Sequence, residues 1–132
     1  MSEIRLVIQG EPVAKGRPRL SRNGTYTPEK TKTAEEAIGW AFKQSGQKKL
    51  EGMLNLFVSF RFTLPKSASK KLKGMVRMFK ATRPDLDNLV KLVTDALNGL
   101  AYDDDSQIIS INAEKVYAEQ AYTEIWITEE LE

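Results

Sequence analysis

The chain has 132 residues, 41% of them hydrophobic and 29% charged, with a net charge of +2. That fits a single domain spanning residues 1–132 with its own core and leaves no room for two. Cysteine and histidine are both absent, which excludes disulfides, thiolate chemistry, zinc–thiolate sites and any catalytic device built on an imidazole. No apolar run approaches membrane-spanning length, and Met1-Ser2-Glu3-Ile4 lacks the basic-then-apolar pattern of a secretory leader, so a cytoplasmic protein without a membrane segment is expected.

Ile4 to Gln9 reads as a strand with Ile4, Leu6 and Ile8 on one face, ended by Gly10. Residues 11–26 form a loop with a hairpin turning at Asn23-Gly24. Its glycines and prolines keep Lys15, Arg17, Arg19 and Arg22 out of regular structure, and arginine's planar fork suits phosphate oxygens. Thr27-Pro28-Glu29 starts a helix, with Thr27 as cap and Pro28 in the first turn, running to about Gln44 and stopped by Gly46. Its apolar stripe is Ala34, Ala37, Ile38, Ala41 and Phe42, with Trp40 at the edge. Met53 to Leu64 is the longest strand, alternating core positions Leu54, Leu56, Val58, Phe60, Phe62 and Leu64 with outward ones. Pro65 breaks it. A segment capped at Ser67 then carries Lys70, Lys71 and Lys73 towards the acidic centre of the chain, well placed to touch a nucleic-acid backbone.

That centre is Arg83-Pro84-Asp85-Leu86-Asp87-Asn88-Leu89-Val90-Lys91. Proline biases Arg83 towards an extended conformation, and in an extended segment residues i and i+2 share a side, so Asp85 and Asp87 are expected to converge. Leu89, Val93, Ala96, Leu97 and Leu100 recur at helical spacing, with Asp87 or Asn88 as cap and Asn98-Gly99 as stop. Lys91 projects from the first turn. Asp103-Asp104-Asp105 follows the helix, where a returning chain would set a third carboxylate beside the first two. Carboxylates without histidine or cysteine favour a hard cation, Mg²⁺ or Mn²⁺, and phosphodiester hydrolysis. Taken singly, each residue has a plainer reading: Asp87 as a helix cap, Lys91 paired with Asp95, the acidic run as a solvated turn.

Gln107 to Tyr117 and Tyr122 to Thr128 read as two strands joined by a short turn. Ile109, Ile111 and Ala113 face the core in the first, and Ile125 and Ile127, or Trp126, in the second. The whole is expected to be an α+β domain with a mixed sheet of about four strands and helices packed on it.

Charge is segregated along this order. Met1–Arg83 holds 18 Lys/Arg against 6 Asp/Glu, a balance of +12, and Pro84–Glu132 holds 2 against 12, a balance of −10. A basic region beside a carboxylate cluster is what a metal-dependent nuclease needs.

The chain resembles the RusA-type Holliday junction resolvases, the crossover junction endodeoxyribonucleases. The resemblance rests on Arg83-Pro84-Asp85-Leu86-Asp87-Asn88-Leu89, Lys91, Asp95-Ala96-Leu97-Asn98-Gly99, Asp104-Asp105-Ser106-Gln107-Ile108 and, near the start, Pro12-Val13-Ala14-Lys15-Gly16-Arg17-Pro18-Arg19. It implies catalytic carboxylates at Asp85, Asp87 and Asp105 and a functional lysine at Lys91. It further implies Mg²⁺ dependence, a homodimer, and paired nicks in opposed strands of a four-way DNA junction, in recombination and repair. Phages and prophages often encode such enzymes. The extra Asp103 leaves Asp104 a competitor for the third position. Lys15, Arg17, Arg19, Arg22, Lys70, Lys71, Lys73 and Arg83 are the expected DNA contacts. Two rival readings stand beside this one: a non-cutting junction- or DNA-binding protein derived from a nuclease, and an enzyme acting on a small phosphorylated substrate through Asp-x-Asp. The chain has no glycine-rich phosphate loop to support the second.

Overall fold

The computed structural model describes residues 2–16, 19–22, 24–26, 28–66 and 78–130. The expected helix capped at Ser67, with Lys70, Lys71 and Lys73, lies outside the described residues. So do Arg17 and the cap Thr27.

Among the described residues six strands and two α-helices follow one another: β1 (Glu3–Gln9), β2 (Arg19–Ser21), β3 (Gly24–Tyr26), α1 (Glu29–Ser45), β4 (Leu54–Thr63), α2 (Leu86–Leu97), β5 (Ile108–Ala118) and β6 (Tyr122–Glu129). A mixed four-stranded sheet has the order β1-β6-β4-β5, and β2 and β3 form a separate hairpin. β6 is antiparallel to both β1 and β4, while β4 and β5 run parallel. The short link after β5 therefore carries the chain past the end of β4, where the Leu64 amide donates to the Ala118 carbonyl at 3.1 Å. The α+β expectation holds, with both helices on one face of the sheet.

The core is the helix-facing side of that sheet. Alternation in β1 and β4 puts Ile4, Leu6, Leu54, Leu56, Val58, Phe60 and Phe62 inside, joined by Ile125 and Ile127 of β6. α2 presents Leu89, Leu92, Val93 and Leu97, and α1 contributes Ile38 and Phe42. Burying a side chain of this size stabilises by roughly 1.5–3 kcal/mol. Trp126 faces the other side, where the Arg5 guanidinium lies 4.1 Å from its ring centroid.

Three local expectations are corrected. Pro28 occupies the cap position of α1, not its first turn. The helix's buried face is Thr31, Ile38, Gly39 and Phe42, so Ala37 points outward. Gly39 is there because α2 passes close by: a Cβ at this position would stand 3.2 Å from Leu100 Cδ1. In β5, Ile109 and Ile111 are not core residues but 54% and 51% exposed. The pairing register of β5 on β4 shifts between Leu54 and Asn55, which leaves Ile109 without a partner. β5 is also an edge strand of the sheet.

Candidate active site

α2 positions the central motif. The Arg83–Pro84 peptide is cis. Asp85 is extended (φ −69°, ψ 138°) and is the N-cap residue, and its carbonyl accepts from the Leu89 amide at 3.2 Å. The helix thus begins two or three residues earlier than the pattern suggests, with Asp85 as cap in place of Asp87 or Asn88. Asp87 lies inside the first turn, where its Oδ1 accepts from the Asn88 amide at 3.0 Å. Convergence through a shared extended segment therefore does not hold. The two carboxylates are instead grouped by the start of a helix, whose unpaired N–H groups favour negative charge. Both are exposed.

Asp87, Lys91 and Asp95 follow at intervals of four, along one stripe of α2. Lys91 Nζ stands 3.8 Å from Asp95 Oδ2. The same oxygen lies 3.1 Å from Lys15 Nζ, which also meets Glu35 Oε2 at 2.9 Å. Lys15 is anchored along its backbone too, its amide donating to the Asn88 carbonyl at 2.9 Å. Partial burial pushes the Lys15 ammonium down, but the Glu35 and Asp95 carboxylates outweigh it and hold its pKa above the ordinary lysine value. Lys15 is thus committed to joining the basic loop to α1 and α2. Arg22 and Arg83 are exposed. Arg19 lies in β2 with its backbone described.

The second acidic group is held at the other end of α2. Asn98 caps that end, and its Oδ1 accepts from the Asp105 amide at 2.9 Å. Gln107 Oε1 accepts from the amides of Asp103 and Asp104 at 2.9 and 3.0 Å, and its Nε2 donates to the Gly52 carbonyl. The three acids have separate tasks. Asp103 pairs with Lys49 at 2.8 Å. Asp104 caps the short 3₁₀ turn Asp105–Gln107, and the Ser106 amide holds its carboxyl below the usual carboxylate range. Asp105 remains exposed, with its charge acting on Tyr102. Tyr102 is buried, with its hydroxyl donating to the Thr94 carbonyl at 2.7 Å. Burial first, then Asp105 and Asp95, push its phenol well above the ordinary tyrosine value.

The expected meeting of Asp105 with Asp85 and Asp87 does not occur within the chain. The 11 helical steps from Asp87 to Asn98 span about 16 Å at 1.5 Å each. Among the described residues, no three Asp or Glu side chains stand close enough to hold a metal ion. α2 separates the two groups like a spacer.

One side chain beside the candidate site escaped the sequence reading. Lys115 of β5 reaches the turn before Asp85, its Nζ donating to the carbonyls of Thr82 and Pro84, each at 2.8 Å. The available signal was a cation in the inward alternation Ile111, Ala113, Lys115, Tyr117, where an apolar residue is the default.

The model of the endodeoxyribonuclease RusA family matches residues 9–128. The chain belongs to the RusA endodeoxyribonuclease family. It is 38% identical over 139 residues, covering 98% of both chains, to the uncharacterized protein YqaN of Bacillus subtilis (strain 168). It is also 51% identical over 51 residues, 38% of this chain and 39% of the relative, to the crossover junction endodeoxyribonuclease rusA of Lactococcus phage r1t. Membership makes the RusA-like chain an endodeoxyribonuclease, and the two acidic groups at the ends of α2 are its candidate catalytic carboxylates.

Proposed function

We propose that this chain resolves four-way DNA junctions by paired nicks in opposed strands, as a Mg²⁺-dependent homodimer whose active site is shared between subunits. The observation that carries this reading is the separation of its carboxylates. Asp85 and Asp87 stand at one end of α2 and Asp105 at the other, each held by dedicated backbone contacts. A second copy related by a two-fold axis supplies what one chain lacks.

The first half of β5 supports that arrangement. β5 lies at the sheet edge. The segment Phe79–Lys80 covers its far end, with Phe79 bridging Val116. No described strand pairs with the outer edge of residues 108–113, and that edge carries the exposed Ile109 and Ile111. An open apolar edge pairs readily with another strand. A partner β5 running antiparallel about a two-fold near Ile111 brings the turn carrying Asp105 of the partner subunit towards Lys115, whose ammonium holds the turn before Asp85.

The donor set fits a hard cation, being all carboxylate oxygen. Asp85 and Asp87 would hold it with Asp105 of the partner subunit, and it would supply an activated water and neutralise charge on the leaving oxygen. Lys91, on the same stripe as Asp87, offers a cation to the charge that develops on the phosphate. Arg22, Arg83 and the basic residues outside the described region anchor the DNA backbone.

The test is cleavage of a labelled synthetic four-way junction, with linear duplex as control, by wild type, Asp87→Asn, Asp105→Asn and a refolded mixture of the two variants. Each variant alone is expected to bind without cutting. The mixture should recover nicking, because a mixed dimer rebuilds one intact site. A silent mixture overturns the shared site, and a bound but uncut junction with wild type in Mg²⁺ overturns the resolvase reading in favour of a binding protein.

A further inference from the structure

We infer that Lys115 is a positioning residue of the active site: its ammonium holds the turn Thr82–Pro84 and thereby sets where Asp85 is presented. This rests on the reading above that Asp85 serves the reaction.

The inference starts from an energetic oddity. Lys115 pairs with Phe60 in the sheet register, so its side chain leaves β5 on the core side. Lys115 is half-buried, and a cation partly withdrawn from water favours polar partners. Lys115 finds them in two main-chain carbonyls, Thr82 and Pro84, both at 2.8 Å. The turn thus wraps its oxygens around one nitrogen, and hydrogen bonds from an ionised donor are stronger than neutral ones. A lysine suits this task because its compact head carries three donors that rotate freely, whereas the arginine fork is planar.

The contacts around it share one purpose. The Lys80 amide donates to the Lys115 carbonyl at 2.9 Å, and the Tyr117 amide to the Met78 carbonyl at 2.7 Å, so the incoming chain is laid along β5. Lys80 Nζ then reaches Thr82 Oγ1 at 2.8 Å. After the turn, the Asp85 carbonyl is taken by α2 through Leu89. Asp85 therefore has its upstream neighbour fixed to the sheet by Lys115 and its own carbonyl fixed to the helix. Releasing the Lys115 contact frees the turn while leaving α2 and the core as they are.

The experiment compares wild type, Lys115→Met and Lys115→Arg for hydrogen exchange of amides 80–87, thermal midpoint, junction affinity and cleavage kinetics. Lys115→Met should speed exchange in the 82–87 region selectively and keep junction affinity within about twofold. It should also lower kcat by about 10–100-fold at an unchanged KM, as expected when a reacting group is displaced by about 1 Å. Lys115→Arg should recover part of kcat, since it restores a cationic donor. Unchanged exchange at 82–87 overturns the clamp. Faster exchange with an unaltered kcat overturns the positioning role, as does a loss of kcat that Lys115→Arg leaves unrepaired while exchange returns to normal. If Lys115→Met unfolds, Lys115→Gln, which removes the charge and shortens the side chain, carries the same exchange and kinetic comparison against wild type, and unchanged exchange at 82–87 would again overturn the clamp. A wild-type protein that does not cut would defeat the functional reading alone, because the exchange arm does not depend on cleavage.

Discussion

Lys15 and Asp95 show how one residue's task is decided by what surrounds it. Lys15 sits among arginines in a basic loop, yet its ammonium is shared between Glu35 and Asp95 and its side chain is only 20% exposed. Lys15→Met should destabilise the fold by roughly 1.5–3 kcal/mol, the range for hydrogen bonds to charged groups. Denaturant titration of both proteins checks this. The sign of its pH dependence follows from the raised pKa: the contribution is complete below the ordinary lysine value of 10.5 and is lost as the pH rises through the higher folded value. The stability gap between the two proteins should therefore be constant from neutral pH to about pH 9 and close in stronger alkali. Asp95 couples this anchor to Lys91, so Asp95→Asn is expected to loosen both lysines, read as lower stability together with slower cleavage.

At the scale of elements, α2 is both core and spacer. Leu89, Leu92, Val93 and Leu97 bury one side of it. The opposite side carries Asp87, Lys91 and Asp95 in register, and each end holds an acidic group. The acidic turn at its far end is held by two side-chain amides, Asn98 and Gln107, acting on the backbone of residues 103–105. Gln107→Ala removes two acceptor contacts and the donor to Gly52 at once. It should leave junction binding intact and cut the cleavage rate at least tenfold, since a reacting group displaced by about 1 Å loses up to about 100-fold. Cleavage and gel-shift assays on the same preparation would separate the two effects. Asp104 is occupied in capping, so Asp104→Asn, which keeps an acceptor, should retain most activity, whereas Asp105→Asn should abolish it.

At the largest scale, the described residues form a sheet with helices on one face and β1 and β5 at its edges. If the second copy docks along Ile108–Ala113, Ile111→Lys places a charge on that edge and should give a monomer. The check is mass by light scattering together with cleavage: loss of the dimer and of nicking together is the expected result, and a cutting monomer would overturn the shared site. Charge acts at the same scale. The basic front of the chain should make junction affinity fall by several decades over a modest rise in salt, with a slope of roughly 0.9 per phosphate contact.

Much of this protein was determined locally and is legible in its sequence. Period-two alternation in β1 and β4, the short β2–β3 hairpin, the αL stop at Gly46 (φ 71°) and the end of α2 at Asn98-Gly99 all depend on neighbours within a few residues. The family was legible too, because the motifs at residues 83–91 and 104–108 resemble those of the RusA endodeoxyribonucleases, whose family model matches residues 9–128. Only the tertiary structure decided the rest. Ile109 and Ile111 have the pattern of core residues, but β5 is an edge strand and both stay exposed, Ile109 at the register shift on β4, and sheet order is a non-local property. Lys15 became an anchor because residues 20 and 80 positions away meet it. Lys115 acquired its contacts from a turn more than 30 residues upstream. The distance between the two acidic groups was fixed by the rigid length of α2 and by Asn98 tying Asp105 to its far end. Spacing in sequence carries no information about where a chain goes after a helix, and that is why three carboxylates that read as one cluster stand as two.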